Sequence, residues 1–119
     1  MIDFIKKLVG KSKFEISLNK SFEYYFTLKA SNGEIILMSE SYKTEYGCKN
    51  GIESVRENCS LEENYDIRIS KDKKRYFVLK AKNGEIIGKS ETYNSLVNVL
   101  KGIESVRKSG QTSLVSLSF

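Results

Sequence analysis

The stretch LKASNGEIILMSESY, from Leu28 to Tyr42, returns as LKAKNGEIIGKSETY, from Leu79 to Tyr93. The offset of 51 residues holds on both sides of the quoted segment. It aligns Phe14–Asn58 with Tyr65–Ser109 without a gap, and about 21 of the 45 positions are identical. A repeat near 50 residues present only twice is too short for a solenoid, which needs about three or more units to bury its faces. Two copies instead point to a pseudo-two-fold, a half that once paired with itself.

Each half reads the same way. FEISL (14–18) and YDIRI (65–69) alternate apolar with polar residues, the mark of a half-buried strand. The next segments, FEYYFTLKA and KKRYFVLKA, keep a period of two. Phe26, Leu28 and Ala30, like Phe77, Leu79 and Ala81, share one face, and Tyr25, Thr27 and Lys29, like Tyr76, Val78 and Lys80, share the other. Asn32-Gly33 and Asn83-Gly84 then predict a hairpin of type I′, which needs positive φ at both central residues. EIILMS and EIIGKS return. A helix follows, with Thr44 and Ser95 as N-caps. Its apolar stripe is Leu96, Val99, Ile103 and Val106, matched by Glu45, Cys48, Ile52 and Val55. Gly51 and Gly102 lie mid-helix on that stripe at a cost near 1 kcal/mol against alanine. Such a cost is sustained where the helix presses too close for a Cβ. The tail SLVSLSF alternates again and reads as a closing strand, so each half is strand, strand, strand, helix, with a further strand after the helix.

The segments FTLKASNGEII, SESY and GIESVR, with their copies FVLKAKNGEII, SETY and GIESVR, resemble the YegP-like family of small bacterial proteins. The resemblance covers roughly residues 14–109. It implies an α+β fold of two tandem strand-strand-strand-helix-strand repeats, one helix per repeat, in a single mostly antiparallel sheet. It further implies that the C-terminal strands are exchanged between the halves. Single-repeat relatives form homodimers, so this chain resembles a dimer written as one polypeptide and is expected as a monomer. Residues 1–13 fall outside the family's pattern and read as an extension. Residues 14–119 read as one domain made of repeats 14–64 and 65–119. The family has no assigned activity, and no catalytic residue carries over.

Composition narrows the function classes. At 119 residues, with 39% hydrophobic and 29% charged residues, the chain matches one ordinary globular domain. The net charge of +5 is concentrated in residues 1–13, where Lys6, Lys7, Lys11 and Lys13 face only Asp3. The opening MIDFIKKLVGKSK has neither a sustained apolar run nor a small-residue cleavage site, so the expected compartment is the cytoplasm and no membrane association is expected. Ile2, Ile5 and Val9 share one helical face there, read as a helix packed on the domain or a frayed terminus. Cys48 and Cys59, eleven positions apart on a helix, would be separated by about 16 Å, beyond disulfide reach. Cys48 replaces a valine-like position, which marks a buried, inert thiol. Histidine is absent, no third cysteine lies near, and no Gly-rich phosphate loop occurs, so no metal, cofactor or catalytic residue is expected.

Binding remains. The sheet face away from the helices is expected to carry Tyr25, Lys29, Tyr76, Lys80 and Arg68. A protein partner recognised there is the leading expectation. Low-specificity single-stranded nucleic-acid binding is the alternative, since aromatics interleaved with cations form stacking platforms. Glu15 and Asp66 point to the same face and oppose that alternative. In Ile35-Ile36 and Ile86-Ile87 one isoleucine of each pair should lie on the open face, unless local twist buries both. Tyr42 and Tyr93, ahead of the helices, read as staples whose hydroxyls bond Arg56 or Arg107, or backbone.

Overall fold

The order of elements follows the repeat. β1 (Lys13–Leu18), β2 (Tyr24–Lys29), β3 (Ile35–Met38) and α1 (Glu45–Asn58) form the first half. A short 3-10 turn (Glu62–Asn64) leads into β4 (Tyr65–Ile69), β5 (Arg75–Lys80), β6 (Ile86–Lys89), α2 (Leu96–Ser109) and β7 (Leu114–Leu117). The structure, a computed structural model, describes residues 11–119. The helix expected over Ile2–Val9 lies outside them.

All seven strands share one sheet, in the order β4-β5-β6-β3-β2-β1-β7. Every pairing is antiparallel except β1 with β7, which is parallel. The α+β class and the tandem architecture are therefore as expected. β7 belongs to the second repeat yet lies on the first strand of the first, so the closing strand is indeed exchanged. One detail differs. The strand after the helix forms only in the second repeat, whereas after α1 the chain turns through Glu62–Asn64 straight into β4.

The Asn-Gly hairpins are present, but not as type I′ turns. Only Gly33 (φ 87°) and Gly84 (φ 89°) have positive φ, whereas Asn32 and Asn83 do not. The amide of Gly33 donates to Ala30 O, that of Ala30 donates to Glu34 O, and Asn32 Oδ1 accepts from the Glu34 amide at 3.0 Å. The asparagine thus acts through its side chain while glycine alone takes the left-handed position, as in three-residue loops closed by a glycine bulge. The Asn19–Glu23 and Ser70–Lys74 turns have the same bonds, with Phe22 (φ 60°) and Lys73 (φ 65°) in the glycine's place.

Both helices cover one face of the sheet. Thr44 Oγ1 accepts from the Gly47 amide at 2.9 Å and Ser95 Oγ from the Asn98 amide at 3.1 Å, so the expected N-caps form. Cys48, Gly51, Ile52 and Val55 of α1, and Val99, Gly102, Ile103 and Val106 of α2, are buried on Phe14, Ile16, Phe26, Leu28, Phe77 and Leu79. Leu96, expected in this stripe, is exposed at the first helical position, ahead of the turn that meets the sheet. The mid-helix glycines serve the close approach expected of them, with a tyrosine ring as the nearest obstacle and the sheet's Phe26 or Phe77 next, at 3.0 and 3.2 Å. A Cβ on Gly51 would lie 2.7 Å from Tyr42 Cζ, and one on Gly102 would lie 2.9 Å from Tyr93 Cζ. Each tyrosine is held by backbone bridging, Tyr42 to Tyr24 and Tyr93 to Arg75, and stacks on Phe26 or Phe77 with ring centroids 6.3 and 6.4 Å apart. The staple is thus a ring packed under a glycine.

The arginines expected to meet those hydroxyls do something else. Arg56 of α1 donates to Ser113 O (2.8 Å) and Gln111 O (3.2 Å), in the loop that follows α2, and its guanidinium lies 5.2 Å from the centre of the Phe14 ring. Arg107 of α2 donates to Ser60 O (3.3 Å), in the loop that follows α1. Gln111 and Ser60 are equivalent positions of the repeat, so each helix clasps the loop leaving the other.

At the junction of β3 and β6, where Met38 pairs with Lys89, equivalent residues of the two repeats meet. Leu37 is equivalent to Gly88, and a Cβ on Gly88 would lie 2.7 Å from Leu37 Cγ. Cys59 is equivalent to Gly110, and a Cβ there would lie 2.8 Å from Cys59 Sγ. At both places one repeat supplies the bulk and the other the room.

Two outcomes follow from these contacts. Gly88→Leu overpacks the junction and lowers stability by about 1–3 kcal/mol, and Leu37→Gly empties it at a loss of at least about 2 kcal/mol. The double exchange recovers more than half of the summed loss in urea denaturation, whereas simple additivity would show that the two sites do not share one space. Arg56→Ala destabilises by about 1–2 kcal/mol through its lost charged hydrogen bonds. It also strips hydrogen-exchange protection from Leu114–Leu117 while leaving that of β4 and β5 intact, an asymmetry that Arg107→Ala does not produce.

Candidate binding face

The face of the sheet opposite the helices is built from the alternate residues of each strand. Cross-strand register places Glu15 against Thr27, Lys29 against Ile35, Thr27 against Met38, Val78 against Lys89 and Lys80 against Ile86, so these side chains share that face. Register shifts beside Lys29 and Lys80 accommodate the double isoleucines. Ile36 and Ile87 turn into the core at 5% and 6% exposure, whereas Ile35 is half-buried and Ile86 is exposed on the open side. One isoleucine of each pair thus lies on either face.

All five residues singled out in the sequence lie on this face, but not as one cluster. Arg68 stands directly opposite Tyr76, with Lys80 four residues along β5 on the same face. Tyr25 and Lys29 lie on β2, separated from β5 by β3 and β6. At about 4.8 Å per strand that separation is roughly 14 Å. Their charges are also spoken for. Lys29 Nζ is 3.0 Å from Glu15 Oε1, and Lys13 approaches the same carboxylate at 3.5 Å. Lys80 pairs with Asp66, which Arg68 approaches at 3.7 Å. The Lys29 hydrogen bond holds the Glu15 carboxyl below its usual range, and the Lys80 hydrogen bond does the same for Asp66. Thr27 (5% exposed) and Val78 (2%) are buried beneath their neighbours.

The concave part of the face lies where the repeats meet, and it joins Tyr76 and Arg68 to Met38, Lys71 and Lys89, which the sequence reading did not single out. A cleft of about 620 Å³ is lined by Met38, Ser70, Lys71, Tyr76, Lys89 and Glu91 among others. A second, of about 370 Å³, shares Met38, Tyr76 and Lys89 and continues over Val78 and Ile86 to Arg68 and Glu40. Apolar surface from Met38 and Ile86 forms the floor, over the buried Val78. Unlike Lys29 and Lys80, Lys71 and Lys89 have no carboxylate partner among the described residues. Met38 and Lys89 are equivalent positions that differ between the repeats, and that divergence is the signal that could have found them.

No group of three or more potential metal ligands occurs among the described residues. Both cysteines are free and buried. Burial pushes the Cys48 thiol up to about 11 and raises that of Cys59 as well, the opposite of what a nucleophile needs. Tyr65 is buried with its hydroxyl donating to Cys59 O at 2.6 Å, a structural bond. Among the described residues no helix is long and apolar enough to cross a membrane.

Comparison with known proteins agrees with this picture. The model of the "Domain of unknown function (DUF1508)" matches twice, at residues 19–66 and 70–116. A UPF0339 protein of Photorhabdus laumondii is 48% identical over 99 residues, covering 83% of this chain and 87% of that protein. The UPF0339 protein YegP of Yersinia pestis is 45% identical over 102 residues, covering 86% and 91%. The solution NMR structure of a UPF0339 protein from Shewanella oneidensis superposes with a TM-score of 0.84 at 41% identity, over 90% of this chain and 91% of that one. The NMR structure of YegP from E. coli, described as a protein of unknown function, gives 0.85 at 39% identity over 91% and 93%. With two DUF1508 repeats and relatives matched over nearly their whole length, the chain belongs to the UPF0339 (YegP) family, whose function is unassigned.

Proposed function

We propose that this chain is a non-catalytic cytoplasmic binding module that takes a segment of a partner protein in the cleft at the junction of its repeats. The supporting observation is the chemistry of that cleft. An apolar floor of Met38 and Ile86 is bordered by Lys71 and Lys89, two cations without a carboxylate partner among the described residues. A concave apolar surface with a few placed polar groups is the usual form of a recognition site. The matching ligand is an extended segment that presents an apolar side chain next to an acidic one. Nucleic-acid binding through Tyr25, Lys29, Tyr76 and Lys80 is the weaker reading. The two lysines are neutralised by Glu15 and Asp66, and the halves of that site stand on strands that are not neighbours.

Selection of a displayed random-peptide library against the full chain should enrich apolar–acidic sequences. Met38→Glu or Lys89→Glu should weaken the enriched peptides at least tenfold, and Lys43→Glu, outside the cleft, should leave them unchanged. Equal binding to all three variants would sink the cleft assignment. A labelled single-stranded oligonucleotide should show no binding at near-physiological salt. Binding abolished by Tyr25→Ala and Tyr76→Ala would instead favour the nucleic-acid reading. Neither thiol of the folded protein should react with iodoacetamide at mildly alkaline pH, and both should react in guanidinium chloride. Rapid modification of Cys48 in the folded state would reopen a chemical role.

A further inference from the structure

The two ends of the sheet are not equivalent. β1 is the outer strand of the first repeat and is covered by β7. Leu114 to Leu117 run parallel to Lys13–Ile16, and the Ser118 amide donates to Ile16 O at 3.0 Å. β4 is the outer strand of the second repeat, and among the described residues nothing pairs with its outer side. The consequence shows in exposure. Ile16 is fully buried, while its equivalent Ile67 is 42% exposed. Leu18 is 37% exposed, while its equivalent Ile69 is 67% exposed. The helix above differs in step. In the first repeat Tyr46, Lys49 and Asn50 of α1 flank Val115 of β7 in one shallow cleft. The equivalent positions of α2 are Val97, Leu100 and Lys101, and Val97 and Leu100 are exposed. Among the described residues the second repeat therefore has no covering strand and carries apolar residues around the open edge.

We propose that this edge is a self-association surface, on which β4 pairs antiparallel with β4 of a second copy about a two-fold axis through Ile67. Three features favour a second copy of this chain over any other strand. The first is the direction of the free backbone groups. The backbone oxygens of Phe77 and Arg75 accept from the Ser90 and Tyr93 amides, and the Phe77 amide donates to Ser90 Oγ, so these residues face β6 rather than β4. By the alternation of antiparallel ladders, their partners Ile67 and Ile69 turn amide and carbonyl outward, and Tyr65 its carbonyl, while the Tyr65 amide donates to Glu62 O. Pairing Ile67 with its own copy, and Tyr65 with Ile69, engages all of these outward groups except the Ile69 carbonyl. The second is charge. In that register Asp66 falls directly opposite Arg68 of the mate on the same face, twice over by symmetry. Parallel pairing in register would instead set like charges side by side. The third is the flanks. Glu62 and Glu63 precede β4, while Lys71, Lys73 and Lys74 follow it. An antiparallel mate brings the acidic end of one copy to the basic end of the other. The contact is isologous and closes at two copies, and it places four isoleucines and the exposed face of α2 in one apolar strip. The monomer expected from the fused repeat is then the subunit of a weaker dimer, held by the edge that the fusion left open.

Sedimentation equilibrium of the full chain from micromolar to millimolar concentration tests this. The mass should rise from 13.6 kDa towards twice that value and stop there. Ile67→Lys should raise the dissociation constant at least tenfold with unchanged amide dispersion in NMR spectra. Asp66→Arg should do the same by setting arginines opposite each other. The double variant Asp66→Arg/Arg68→Asp restores opposite charges only across an antiparallel two-fold, so it should recover most of the lost association. A mass fixed at 13.6 kDa throughout, growth past the dimer, or a dimer indifferent to these substitutions would each overturn the proposal.

Discussion

Where two copies of one structure meet on a two-fold axis, equivalent atoms face each other, and that self-facing contact governs the rest of this molecule. In a true homodimer the same residue must occupy both sides. Two large side chains then collide and two small ones leave a void, and interiors tolerate neither well. Joining the halves in one chain removes the restriction. Leu37 reaches into the space above Gly88, and Cys59 into that beside Gly110. Once such pairs exist the halves are no longer interchangeable. Two copies of the first repeat would bring Leu37 against Leu37, and two copies of the second would leave glycine facing glycine.

The remaining framework is the symmetric part, held by a small set of repeated contacts. A tyrosine from the segment ahead of each helix lies under a helical glycine and stacks on a core phenylalanine. An arginine at the end of each helix reaches to the loop of the opposite half. Ser39 and Ser90 close the ladder ends, each accepting from the amide of Phe26 or Phe77 at 2.9 Å and donating to the carbonyl of the next residue, Glu40 O or Glu91 O. These residues recur in both halves because they solve the same local problem twice. Phe14 and Tyr65 show how small a difference can be absorbed. The extra hydroxyl of Tyr65 finds Cys59 O, while Phe14 has the Arg56 guanidinium over its ring.

Much of this was legible in the residues. Strand alternation, the N-caps, the buried Cys48 and the close approach at Gly51 and Gly102 all follow from spacing and side-chain chemistry. The turn type did not, because Asn-Gly satisfies both a type I′ turn and a glycine-closed loop, and the choice rests on hydrogen bonds to residues outside the pair. The partners of Arg56 and Arg107 were hidden for a similar reason. Within a helix Glu53 and Arg56 look like a surface pair, and that pair does form at 3.2 Å. Only the exchange of the closing strand brings Ser113 within reach of the same guanidinium. The cleft at Met38 and Lys89 was not legible because it lies at equivalent positions that differ between the repeats, whereas the residues identical in both build the scaffold.

The parallel pairing of β7 with β1 ties together segments 101 residues apart, Lys13 lying opposite Leu114. A chain emerging from the ribosome can form the β2–β3 hairpin and cap α1 early, since those contacts are local. The strand that finishes the first repeat, however, is encoded beyond the whole of the second, so β1 waits with an uncovered edge until Leu114–Leu117 is free. Contacts between sequence-distant segments close slowly, and edges exposed meanwhile invite pairing with neighbouring chains. Synthesis therefore sets the moment at which this sheet can be completed, and the nascent polypeptide is most in need of protection until β7 has emerged.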